Sequence, residues 1–150
     1  MKIVGLWIFL MAALLLKPPL VSAYMDDVKG VTAEEAWQAT LKVLGTKGVQ
    51  KADKNKKFIQ SRWVEDEVVR RNSLFKDVTS QDYLRRSRMK ISFNELPDRV
   101  EIKITGSFEE KPKQSPPQAP WRKLKTRVED YELEHALFMR ILTQLAKDHG

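Results

Sequence analysis

Arg86, Arg88 and Lys90 alternate along the stretch YLRRSRMKISF, and Lys103 stands in the stretch that follows it, RVEIKITGSFEE. Alternate residues of a strand share a face and stand about 7 Å apart. The spacing therefore predicts a row of cations on the wet side of a hairpin, with Met89, Ile91 and Phe93 on the other side. Arg70, Arg71 and Arg85 lie close enough in sequence to extend its rim. Such a row draws in an anionic surface through a field screened over roughly 8 Å at physiological salt. An ordinary solvated face, with cross-strand ion pairs to Glu101, would use the same residues. Nucleic-acid readers interleave aromatic rings with their basic residues. Here the aromatics fall mostly in the opposite, buried phase, so nucleic acid is not an expected partner.

Little else in the chain has the types and spacing for chemistry. The two histidines, His135 and His149, stand apart on a C-terminal helix, where neither has a second imidazole at metal-ligand or triad spacing. The carboxylates cluster as Glu65-Asp66-Glu67, Glu109-Glu110 and Glu129-Asp130. Acid–base work needs one member of a pair desolvated. Charged and loop-forming neighbours predict instead that all three clusters are solvated. Six scattered glycines make no phosphate-binding loop, and no residue set suggests a cofactor, a metal or catalysis. Trp121 closes the proline-rich run KPKQSPPQAPW and joins Arg86, Arg88, Lys90 and Lys103 as a candidate interaction residue. The minimal PxxP within that run, Pro117 to Pro120, is equally explained by an irregular or polyproline-like connector.

The elements that must position these residues are marked by period and by caps. Thr32 followed by Glu35 forms a capping box, and the apolar spacing of Ala36, Trp37, Thr40, Leu41 and Leu44 up to Gly45 predicts a helix over about 33–44. Val49 belongs to a short extended piece, and ADKNKK is a turn. Ile59, Ser61 and Trp63 then alternate with polar neighbours, which places Ile59 and Trp63 on one face of a strand and makes Trp63 a core plug. Residues 65–82 give no clear signal: they either extend the strand and return through a loop containing Leu74 and Phe75, or form a short helical turn. Ile91 and Ile102 anchor the buried face of the following hairpin. A second capping box, Thr126 with Glu129, opens a longer helix whose stripe includes Tyr131, Phe138, Ile141, Leu142 and Leu145. Residues 24–30 form a polar lead-in. The order predicts an α+β domain of three to four antiparallel strands, with both helices on one face and Trp37, Ile59, Trp63, Ile91, Ile102 and Phe138 in its core.

The N-terminus has the order of a secretory signal peptide. Lys2 precedes an apolar run from Ile3 to Leu16, and Val21-Ser22-Ala23 puts small residues at −3 and −1. That run is shorter than the about 20 residues a bilayer needs, so export with cleavage after Ala23 is expected rather than an N-terminal anchor. Losing Lys2 and Lys17 lowers the formal charge from +7 to +5, with residues 24–150 as one domain. There is no cysteine, which excludes disulfides, thiolate zinc sites and a lipidated mature terminus. A basic domain outside the cytoplasm points to an envelope protein or an anionic membrane surface as partner.

The stretches EEAWQATLKVLG and GVQKADKNKKFIQSRWV, with the charged hairpin, the loop bearing a tryptophan and the leucine-rich last helix, resemble a single domain of the outer-membrane protein assembly factor BamC. The matching positions are Trp37, then Ile59, Ser61 and Trp63, then Tyr131 to Leu145. The resemblance implies a helix-grip α+β domain with a non-enzymatic, accessory role in envelope or outer-membrane assembly. It departs from that family in lacking the lipidation cysteine and in having room for one domain instead of two. Helix-grip folds can also hold an apolar molecule, and Trp63, Phe93, Phe108 and Phe138 would line such a pocket in a lipid carrier.

Overall fold

The computed structural model describes residues 23–74, 77–125 and 128–150, with the side chains of 70–79 and 126–129 left undescribed. The signal-peptide run, Phe75 and the side chains of the Thr126–Glu129 capping box therefore lie outside the described residues, while Leu74, expected in a loop or helical turn, ends a strand opposite Asp77. The elements run β1 (Tyr24–Lys29), α1 (Ala33–Leu44), β2 (Val49–Asp53), β3 (Phe58–Ser61), β4 (Val64–Leu74), β5 (Asp77–Leu96), β6 (Arg99–Pro112), β7 (Arg122–Lys123) and α2 (Val128–His149). The class is α+β, with both helices packed on one face of the sheet.

The described residues form a seven-stranded antiparallel sheet in the order β1-β6-β5-β3-β2, where β4 also pairs with β5 and β7 with β6. This exceeds the expected three to four strands for two reasons. Residues 24–30 are an edge strand and not a lead-in: Tyr24 lies opposite Ile104 and Val28 opposite Val100. Val64–Leu74 and Asp77–Leu96 pair as one long β4–β5 ladder, the strand alternative for residues 65–82, and its polar residues on both sides blur the strand period in the sequence.

The core follows the apolar phases. Partners across strands share a face, so Ile91 opposite Ile104 and Phe93 opposite Ile102 set the inner side. Onto it α1 lays Ala36, Trp37 and Ala39, and α2 lays Leu137, Phe138, Ile141 and Leu145. Trp37, Ile59, Ile91, Ile102 and Phe138 are all buried there. The α1 capping box forms as expected, with Thr32 and Glu35 bonding reciprocally. Gly45 ends the helix at φ 67° and ψ 164°, a positive-φ conformation open to glycine though not the expected left-handed helical one, and its N–H donates to the Leu41 carbonyl at 2.9 Å.

Trp63 does not join that core. Gln60 lies opposite Lys90 and Val64 opposite Ser87. Three residues, Ser61 to Trp63, thus span the edge where only Arg88 and Met89 span β5. The extra residue is a β-bulge, and it reverses the side on which every later residue of that edge projects. Trp63 consequently stands on the open face, half-buried, beyond the end of β3. The bulge is tied on both sides. The Ser61 Oγ accepts from the Met89 N–H at 2.9 Å, and the Arg62 N–H donates to the Gly48 carbonyl at 2.8 Å.

Candidate functional site

On the face away from the helices, cations and rings alternate. The Arg86 guanidinium lies between two indoles, 4.5 Å from the Trp63 ring centre and 4.3 Å from that of Trp121. Arg88 covers Trp63 at 4.5 Å, and Lys111 stands over Trp121 at 4.8 Å. One position further along β5, Lys90 sits 4.7 Å over Phe58, which Lys51 also approaches at 5.6 Å. The ladder therefore reads Lys111, Trp121, Arg86, Trp63, Arg88, then Lys90, Phe58 and Lys51. Each contact contributes about 0.5–1 kcal/mol where exposed and more where water is excluded.

Backbone register places these groups. Arg86 and Arg88 project from β5 opposite Glu109 and Ser107 of β6. The Glu109 Oε2 accepts from Arg86 Nε at 2.8 Å and from Nη2 at 2.5 Å, which holds the guanidinium beside both rings. Trp121 arrives because the proline-rich run folds into two turns, closed by Ser115 N–H to the Pro112 carbonyl and Ala119 N–H to the Pro116 carbonyl. Of the two forms expected for that run, the irregular connector is the one observed. The short β7 strand then pairs Lys123 with Glu109 and Arg122 with Glu110 and fixes the indole over Arg86.

Of the sequence-predicted interaction residues, Arg86, Arg88, Lys90 and Trp121 come together in this ladder. Lys103 is exposed and continues the row past Lys90, opposite Ser92. Within the expected row of projecting cations Arg86 is clamped, its side chain keeping 24% of its exposure, while Lys90 and Lys103 are exposed. Phe58, Lys51 and Lys111 were not singled out from the sequence, which marks Glu109 only as one of a solvated carboxylate pair. Phe58 and Lys51 carried a usable signal, since both fall in the polar phase of short strands. The joining of Trp63 to Arg88 did not, because a bulge leaves no mark in composition.

The inner face carries buried carboxylates where solvated clusters were expected. Asp130 is fully buried and paired with Arg85, whose guanidinium also covers the Phe108 ring. Glu110 is buried and paired with Arg122. In each case a strand or helix phase turns one carboxylate inward onto an arginine. Glu134, one turn beyond Asp130 on α2, accepts from the Tyr24 N–H at 2.8 Å and the Gly106 N–H at 2.6 Å. Burial pushes its carboxyl above the ordinary glutamate value; the two N–H groups pull it back and Asp130 adds to the rise. His135 is exposed and rests its ring 5.1 Å from that of Tyr24, and His149 reaches Glu35 at 3.6 Å. Among the described residues no three His, Asp or Glu side chains converge as metal ligands, and no helix is long and apolar enough to cross a membrane.

The chain is similar in structure to a DUF4468 family protein from Bacteroides ovatus, at 10% identity over 85% of this chain and 89% of that one, with a TM-score of 0.50. A TBP-like protein from Parabacteroides distasonis aligns at 16% identity over 83% and 92%, with a TM-score of 0.44. A conserved protein from Geobacillus kaustophilus aligns at 10% identity over 84% and 92%, with a TM-score of 0.37. At such identities the first of these supports the α+β fold alone. No family model and no curated protein matches the sequence.

Proposed function

We propose that the protein is an exported, non-enzymatic interaction domain of the cell envelope whose open sheet face docks an acidic segment of an envelope protein. The ladder built on Arg86 carries this proposal. Glu109 occupies the Nε–Nη2 edge of Arg86 and fixes the guanidinium, so a partner carboxylate is offered its outer Nη1–Nη2 edge with Arg88 and Lys90 beside it. A lipid surface is better served by apolar side chains free to penetrate, and here the rings of Trp63 and Trp121 are held against cations. A base-stacking platform needs an open ring face, yet Trp63 is covered by Arg86 and Arg88, and Trp121 by Arg86 and Lys111.

The two helices on one face favour a helix-grip arrangement similar to a BamC domain as the finer description of the fold. A lipid-carrier role has less support. Phe93 packs on Trp37, Phe138 on Tyr24 and Phe108 under Arg85, while Trp63 stands on the opposite face, so these rings do not surround one space.

Indole emission of residues 24–150, titrated with an oligoglutamate peptide, with anionic phospholipid vesicles and with single-stranded oligodeoxynucleotide, tests the assignment. Saturable quenching by the peptide alone, lost in Arg86→Ala and weakened at high salt, is the expected result. Preference for vesicles or for the oligonucleotide overturns it.

A further inference from the structure

The Tyr24 nitrogen is the atom that a cut after Ala23 would turn into an amino terminus. In the fold its partner is the Glu134 carboxylate, 2.8 Å away. Glu134 has no exposure, and Tyr24 is 9% exposed, its ring packed against Tyr131, His135 and Phe138. The neighbouring Arg85 is already engaged by Asp130, so the donors on Glu134 are two neutral backbone N–H groups. A buried carboxylate answered by neutral donors is undercompensated. Independently, the sequence sets Val21 and Ala23 at −3 and −1 of this same bond.

We propose that hydrolysis of the Ala23–Tyr24 peptide bond creates an α-ammonium on Tyr24 that seats on Glu134, making this buried glutamate the receptor of the mature N-terminus. In that step the C–N bond breaks and the hydroxyl of water joins the Ala23 carbonyl carbon, which leaves as a carboxylate. The nitrogen keeps its hydrogen, gains one from water and takes a further proton to become the ammonium; nothing is oxidised or reduced. Because Tyr24 is buried in the fold, the cut precedes docking of β1. The edge strand is latched to α2 by charge once the leader has gone, and by a single neutral hydrogen bond before that.

This pairing rests on export as proposed above, and two measurements separate them. Mass spectrometry of the exported protein should find Tyr24 first. A chain starting at Tyr24 should then melt about 5 °C higher than one that keeps Ala23 in front of it, since the latter holds an amide at the same place. The difference should vanish in Glu134→Gln; if that variant does not fold, the Tyr24 and Ala23 pair alone decides. A retained leader or a different first residue overturns the proposal together with its export premise. A Tyr24 start with equal melting temperatures overturns the ion pair alone.

Discussion

Trp63 shows how much a single residue's phase decides. In register with Ile59 it would be a core plug, and its removal would cost about 3–5 kcal/mol. Half-buried on the open face between Arg86 and Arg88, it should cost only about 1–2 kcal/mol as Trp63→Ala, by lost stacking and partial burial. Trp37→Ala, in the core beside Phe93, should reach the larger figure. Urea unfolding of the two variants checks the contrast. Gly106 is tied to its place by contact instead: a Cβ there would meet the Phe108 ring at 2.3 Å and the Glu134 Oε1 at 3.1 Å. Gly106→Ala should therefore destabilise by about 1–3 kcal/mol through forced repacking. Glu134 gives a pH signature in a chain that still carries Ala23. Its folded-state pKa is raised, so the folded state binds the proton more tightly than the unfolded one. The stability it contributes is full below the ordinary glutamate value and declines as pH rises through the raised one. Unfolding titrations at a series of pH values should show that decline, and Glu134→Gln should flatten it.

At the scale of elements, the helix α1 and the β5–β6 core pairing were legible because their signals are local. A capping box, a stop glycine and a two-residue period need no distant partner to be read. The missed features all depend on one. Tyr24–Lys29 becomes a strand through pairing with β6, and its own residues, Tyr-Met-Asp-Asp-Val-Lys, carry no clear alternation. The inward turn of Glu110 and Asp130 depends on where Arg122 and Arg85 arrive from other elements. The bulge at Ser61–Trp63 exists because β3 and β4 share one edge of β5 with one residue to spare. Its hydroxyl tie makes it testable: Ser61→Ala leaves the Met89 N–H without its acceptor and should cost about 1–3 kcal/mol. Since the bulge also aims Trp63, the indole emission of that variant should shift, while a Ser61→Thr variant keeps the hydroxyl and should recover both.

The whole molecule divides into two faces with different work. Among the described residues, one is closed by α1 and α2 over a packed apolar layer, and the other carries the cation–ring ladder built on Arg86. The basic row was visible in the sequence as Arg86, Arg88 and Lys90. Its clamping by Trp63, Trp121 and Glu109 was not, since it joins positions from two strands, the bulge between β3 and β4 and a proline-rich run. If the open face is the docking surface, contact in the exporting cell must be made there and not on the helices. A photocrosslinking residue at Ser107, exposed opposite Arg88, compared with one at Leu133, 46% exposed on α2, measures this most directly. The account predicts a covalent adduct with an acidic envelope protein from position 107, lost in Arg86→Ala, and none from position 133. An adduct from position 133 alone, or only lipid adducts from position 107, would contradict it.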